Sequence, residues 1–141
     1  AGYASVFAQT DEANFNSTTF VPGANVVGTT FMAPSSGAVV VNFSARMRLN
    51  SASAARVLVM AETRTGAVIG SGTLVSMSTE DAALEIGQAA TQQINGSMFQ
   101  VVTGMTPGAT YNVRLLHKNA TSVANAATVY ARSINVVPHQ V

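Results

Sequence analysis

The run from Gly37 to Asn50, GAVVVNFSARMRLN, restricts this chain more than any other stretch. Val39, Val41, Phe43, Ala45, Met47 and Leu49 fall on one side; Asn42, Ser44, Arg46 and Arg48 fall on the other. A period of two held this long describes an extended strand with one face buried and one wetted, the habit of antiparallel sheets. RVLVMAETR, from Arg56, repeats it, with Val57, Val59 and Ala61 inward and Glu62 and Arg64 outward. The small residues Ser51-Ala52-Ser53-Ala54 between the two runs suit a hairpin loop.

The rest of the chain punctuates in the same way. Pro22-Gly23 and Ser35-Ser36-Gly37 bracket a short strand near Val26–Met32, which Pro34 should end. YASVFAQ, residues 3–9, predicts an edge strand or an extended arm, and the polar residues 10–19 read as loop. Thr65-Gly66 predicts a turn, with one or two short strands following in TGAVIGSGTLVSMS. STEDAALEIGQAATQQING is ambiguous: Ser78 with Asp81 resembles a helix-capping pair, while Gly87 and the β context favour a short strand near Ala83–Ile86 and a loop. The last strands are Ser97–Thr103, Thr110–Lys118 and Ala126–Val137. Many short strands between Gly/Pro turns predict an all-β fold, an antiparallel β-sandwich of jelly-roll or Greek-key type. Residues 1–25 read as an N-terminal arm and edge strand, and residues 26–141 as the sandwich domain. A chain of 141 residues suits one domain, and at that size roughly 70% of the unfolded surface is buried.

TGMTPGATY, residues 103–111, forms a corner. Pro107 presets a φ near −65° and Gly108 accepts a positive one. Tyr111 then opens a strand, its ring able to enter the core and its hydroxyl to bond back to the turn. This is similar to the tyrosine corner of Greek-key sandwiches such as fibronectin type III domains. Pro107, Gly108 and Tyr111 are therefore assigned a structural role. Val113 and Leu115 continue inward; Asn112, Arg114 and Lys118 face out.

Composition limits what the surface can do. Charged residues are 9% of the chain, against ~25% in typical soluble domains. Ser, Thr, Asn, Gln and Gly must supply the polar surface, and such a surface loses little when another protein covers it. The alternative is a sparsely charged β domain that works alone. A net charge of +1 gives no footprint for nucleic acid or an anionic membrane, and no apolar run nears the ~20 residues of a membrane helix. Cysteine is absent. His117 lies in the inward register of its strand and His139 follows Pro138. A metal site needs three or four converging ligands, so a rim or core histidine held by hydrogen bonds is expected. Glu80-Asp81 could offer oxygens to calcium, though adjacent acids in a solvated loop are commoner. No nucleophile elbow, phosphate loop or zinc motif occurs. The expectation is no catalytic residue, no metal, no cofactor and no enzyme activity.

TTFMAPSSGAVVVNFSARMR (29–48) followed by TGMTPGATYNVRLLHK (103–118) resembles a β-sandwich module of virion proteins in tailed bacteriophages that infect actinobacteria. The resemblance covers about Val26 to Val137 and rests on structural motifs. It implies a capsid- or tail-associated structural protein, often trimeric. A short single-domain chain without shaft segments fits a head decoration (cement) protein on the capsid surface, with the major capsid protein as partner. Under that reading Tyr3, Val6, Phe7, Phe15 and Phe20 are the candidate contacts, unless they fill the domain's own core. A receptor- or carbohydrate-binding module of a tail tip or cell surface is the competing reading.

Overall fold

The computed structural model describes residues 4–15, 17–49, 55–77, 83–88, 93–120 and 127–140. Its strands are β1 (Ala4–Ala8), β2 (Glu12–Phe15), β3 (Gly28–Met32), β4 (Val39–Leu49), β5 (Ala55–Thr65), β6 (Leu74–Met77), β7 (Leu84–Gln88), β8 (Gln93–Val102), β9 (Thr110–Asn119) and β10 (Ala127–Pro138).

Their pairing is nested, like one long hairpin. β5 pairs with β6 and β7, β4 with β8, β3 with β9, and β1 and β2 with β10, all antiparallel. Two further pairings, β4 with β10 and β5 with β9, roll that ribbon into two layers. The first sheet has the order β1-β10-β4-β8 and the second β3-β9-β5-β6. This rolled hairpin is a jelly roll, so the sandwich expected from the alternation is the fold observed.

The alternating residues fill the space between the layers. Val39, Val41, Phe43, Ala45 and Met47 of β4 pack with Val57, Val59 and Ala61 of β5, Val113 and Leu115 of β9, and Ile134 and Val136 of β10. Each Val, Leu, Ile, Phe or Met among them contributes about 1.5–3 kcal/mol on burial. Gly37 closes the turn before β4 with φ 65°, and a Cβ there would stand 2.6 Å from the Met105 carbonyl oxygen.

Strand β10 carries a bulge. Tyr130 pairs with Arg46 and Ser133 with Ser44, so Ala131 and Arg132 together oppose Ala45. The extra residue switches the inward parity from Val129 to Ile134 and sends Arg132 into the interior. Ala131 takes the left-handed φ of 46°.

Two expectations are corrected, and the strand favoured in the ambiguous segment is found. Residues 12–15 form strand β2 and are not loop; Glu12 is buried there, held by partners far along the chain. Strand β8 begins at Gln93 and not at Ser97, because pairing with β4 carries polar Asn95 and Gly96 into the ladder. Of the ambiguous segment, Leu84–Gln88 is strand; Glu80 and Asp81 lie outside the described residues.

Candidate functional site

The residues singled out in the sequence scatter. At the corner, the Thr106 amide donates to the Tyr111 hydroxyl oxygen at 2.8 Å, and the Tyr111 ring stacks on Phe31 at 6.0 Å. Pro107 and Gly108 form the exposed turn, Gly108 with φ 78°. Val6 points inward and packs on the core, whereas Phe7, one position on, is 60% exposed. Phe20 is half-buried beneath the Lys118 ammonium, 5.8 Å from its ring centre. Tyr3 and the side chain of Phe15 lie outside the described residues. His139 donates its backbone amide to Ala38.

His117 belongs to a buried charged cluster. The bulge aims Arg132 at it, Nη1 standing 3.5 Å from His117 Nε2 and 3.9 Å from Glu12 Oε2. Arg132 Nη2 donates to the Thr10 carbonyl at 3.1 Å. Glu12 accepts the amides of Ala24 (2.8 Å) and Asn25 (3.0 Å). Burial opposes the Glu12 charge, but those two amides and Arg132 win and hold its pKa below the ordinary carboxylate value. His117 responds the other way: burial, and then the Arg132 charge, push its pKa down to about 4. The imidazole is thus neutral at neutral pH. All three groups lie within the fold, and the cluster ties β2, β9 and β10 together. Among the described residues no set of three or more His, Cys, Asp or Glu could hold a metal ion.

The outer face of the second sheet is not the open polar surface the alternation suggests. Glu62 and Asn112, both outward in register, are buried. Arg114 Nε donates to Glu62 Oε1 at 2.8 Å and Arg64 Nη2 to Oε2 at 3.2 Å. Burial alone would raise the Glu62 pKa, but the two guanidiniums lower it. Asn112 pins the loop after β5: its amide donates to the carbonyls of Gly66 (3.0 Å) and Ser71 (3.2 Å), and its oxygen accepts from Gly70 N–H at 2.9 Å. Arg64 Nη1 donates to the Gly72 carbonyl, and Thr73 N–H to Thr65 Oγ1. The crest of this pinned loop is apolar, Val68 being 67% exposed and Ile69 also exposed. Ile69 lies against Gly28, where any Cβ would strike its methyl. Val26 and Met32, at the two ends of the neighbouring edge strand, are exposed as well.

The outer face of the first sheet differs in kind. One row crosses four strands as Phe7, Ser133, Ser44 and Ser97, in direct register. Ser44 and Ser133 share a 2.6 Å hydrogen bond. The next row is Tyr130, Arg46 and Asn95. Arg46 Nε donates to Asn95 Oδ1, and the guanidiniums of Arg46 and Arg48 lie 5.9 and 5.4 Å from the centre of the Tyr130 ring. Between these rows runs a groove of about 600 Å³. The Tyr130 hydroxyl is buried in its wall with no hydrogen bond among the described residues.

Neither outer-face site was singled out from sequence, apart from Phe7. One signal was present: the apolar parity of ATVYARSINVV moves from Val129 to Ile134, which marks a bulge and turns Tyr130 outward.

No family model matches the chain, and no curated protein matches it. Solved structures do. The VP2 subviral particle of infectious bursal disease virus shares the fold at a TM-score of 0.56 and 11% identity, over 97% of this chain and 32% of that one. The Gt strain of the same virus gives 0.56 at 12% identity, and the Gx strain 0.51 at 13%, each over 97% of this chain and 33% of the other. The chain therefore spans about a third of the length of these viral chains. At such identities the likeness establishes the jelly-roll fold.

Proposed function

We propose that this chain is a non-enzymatic structural protein of a virus particle, a decoration (cement) protein that seats on the major capsid protein at the capsid surface and strengthens the head. The carrying observation is the pinned loop of the second sheet. Exposed aliphatic side chains normally lose freedom when a partner covers them, and ordering them weakens binding. Here Asn112, Arg64 and Thr65 already hold the loop, so Val68 and Ile69 stand as a preset apolar knob flanked by Val26 and Met32. A rigid apolar centre whose neighbouring charges are already paired with one another, as Glu62, Arg64 and Arg114 are here, is the anatomy of a docking surface. The likeness to virus-particle chains supports the fold; the head-decoration role and a trimeric state are what the resemblance to phage virion modules implies.

Electron microscopy of the intact particle tests this reading. It expects one copy per capsid subunit or a fixed submultiple, lost by at least tenfold in occupancy at limiting protein when Val68→Asp and Ile69→Asp are combined. Val68 sits on the exposed crest and Ile69 is only partly covered, by Gly28, so the double variant should unfold at a urea midpoint close to wild type. A handful of copies at the tail tip, or full occupancy by the double variant, refutes the assignment.

A further inference from the structure

We infer that the groove on the outer face of the first sheet is a saccharide site, built to take a neutral oligosaccharide. It is independent of the docking knob, which stands on the opposite sheet.

The first argument is the chemistry of the walls. A sugar ring offers hydroxyls around its rim and a patch of C–H bonds on its face. It is met by uncharged hydrogen-bonding groups together with an aromatic ring. The groove supplies Ser44, Ser97 and Asn95 on its floor, with the exposed ring of Phe7 at one side and Tyr130 at the other. Its volume of about 600 Å³ lies inside the range of ~300–1,000 Å³ usual for small-molecule sites. Other ligand classes fit poorly. An apolar ligand would strip water from the serine and asparagine groups and return no hydrogen bonds. A cation finds no carboxylate in the walls. A phosphate or carboxylate would find one guanidinium in the walls, Arg46, which already bonds Asn95; Arg48, also over the Tyr130 ring, is paired with Asp11.

The second argument is that the groove is preformed and its shaping is strained. The bulge that follows Tyr130 places Ala131, a groove residue with an L side chain, at φ 46°. A left-handed alanine persists where the surroundings over-determine it, and such positions gather at binding sites. The Ser44–Ser133 and Arg46–Asn95 hydrogen bonds fix the floor.

Isothermal titration calorimetry of the full chain is the test, against neutral tetrasaccharides of glucose, galactose, mannose and xylose, alternately linked α and β, with their uronic-acid counterparts as a charged arm. At least one neutral tetrasaccharide should bind in the micromolar to millimolar range. Asn95→Ala should weaken it about tenfold, the loss expected for one good hydrogen bond, and Ser97→Trp, which fills the groove from an exposed position, should abolish it. Val68→Asp should leave it unchanged. Urea midpoints close to wild type confirm that both groove variants are folded. No binding across the neutral arm overturns the inference. So does neutral binding that survives Ser97→Trp, and so does binding confined to the uronic acids, which would make Arg46 an anion site. Sugar binding that persists while the combined Val68→Asp and Ile69→Asp variant keeps full particle occupancy would refute only the docking reading.

Discussion

Acid should unfold this protein in a window that belongs to one side chain. His117 is fully buried, and its pKa falls to about 4 from an ordinary value of 6.5. Between those two values the unfolded chain binds a proton at this position and the folded chain does not. Stability therefore is complete above pH 6.5 and drains away as the pH drops toward 4. Each tenfold rise in proton concentration inside the window costs about 1.4 kcal/mol, so the whole passage costs about 3 kcal/mol. That is a large part of the ~5–15 kcal/mol that holds a domain together. With a urea slope of about 1–3 kcal/mol per molar, the midpoint should fall by about 1–3 M between pH 7 and pH 4. The reason is local: a protonated ring would sit 3.5 Å from Arg132 Nη1, two cations against one carboxylate, Glu12. The assay is urea unfolding at half-unit pH steps for the wild type and for His117→Gln. The variant starts less stable, yet its midpoint should stay level from pH 6.5 to about 4.5. Below that it should drop with Glu12 and Glu62, whose lowered pKa values give stability that is present above their unfolded values and lost as they protonate. Parallel pH curves for the two proteins would refute the reasoning.

Three other substitutions report on single contacts. Tyr111→Phe removes the acceptor of the Thr106 amide and should cost about 1–2 kcal/mol by urea titration. Ala131→Gly should leave stability unchanged or raise it by up to about 1 kcal/mol, since relief of the left-handed strain offsets the added freedom of the unfolded chain; thermal melting distinguishes this from the loss of ~1 kcal/mol that glycine brings at ordinary strand positions. Gly37→Ala should cost about 2–4 kcal/mol, because it meets both a positive φ and the Met105 carbonyl; a melting temperature within a degree of wild type would argue against that turn geometry.

What could be read from the chain follows from where each signal sits. Strand β4 announces itself because every second side chain is apolar along its length, and β5 because Val57, Val59 and Ala61 repeat that period; the pattern lives in neighbouring residues. The corner is equally local: Pro107, Gly108 and Tyr111 act within a few positions of one another. Strand β2 is hidden because Glu12 looks like a loop acid until Arg132 and the amides of Ala24 and Asn25 are brought to it. Asn112 and Glu62 read as solvent-facing for a similar reason; the loop that Asn112 pins and the arginines that bind Glu62 are assembled by folding. The groove is hidden more deeply, since Phe7, Ser44, Ser97 and Tyr130 come from four strands, and only the order β1-β10-β4-β8 brings them together.

The nesting of the strands also sets the order in which they can find partners. β1 is made early and β10 late, yet Ala4 pairs with Val136 and β10 lies between β1 and β4. Closing so distant a contact requires the intervening chain to be gathered first, which slows all-β folding to milliseconds or longer. On the ribosome the second layer can assemble around β5 and β9 while the first still lacks its central member. Until β10 emerges, the edges of β1 and β4 that will face it have no cognate strand, and a chaperone or a neighbouring nascent chain has its opening there.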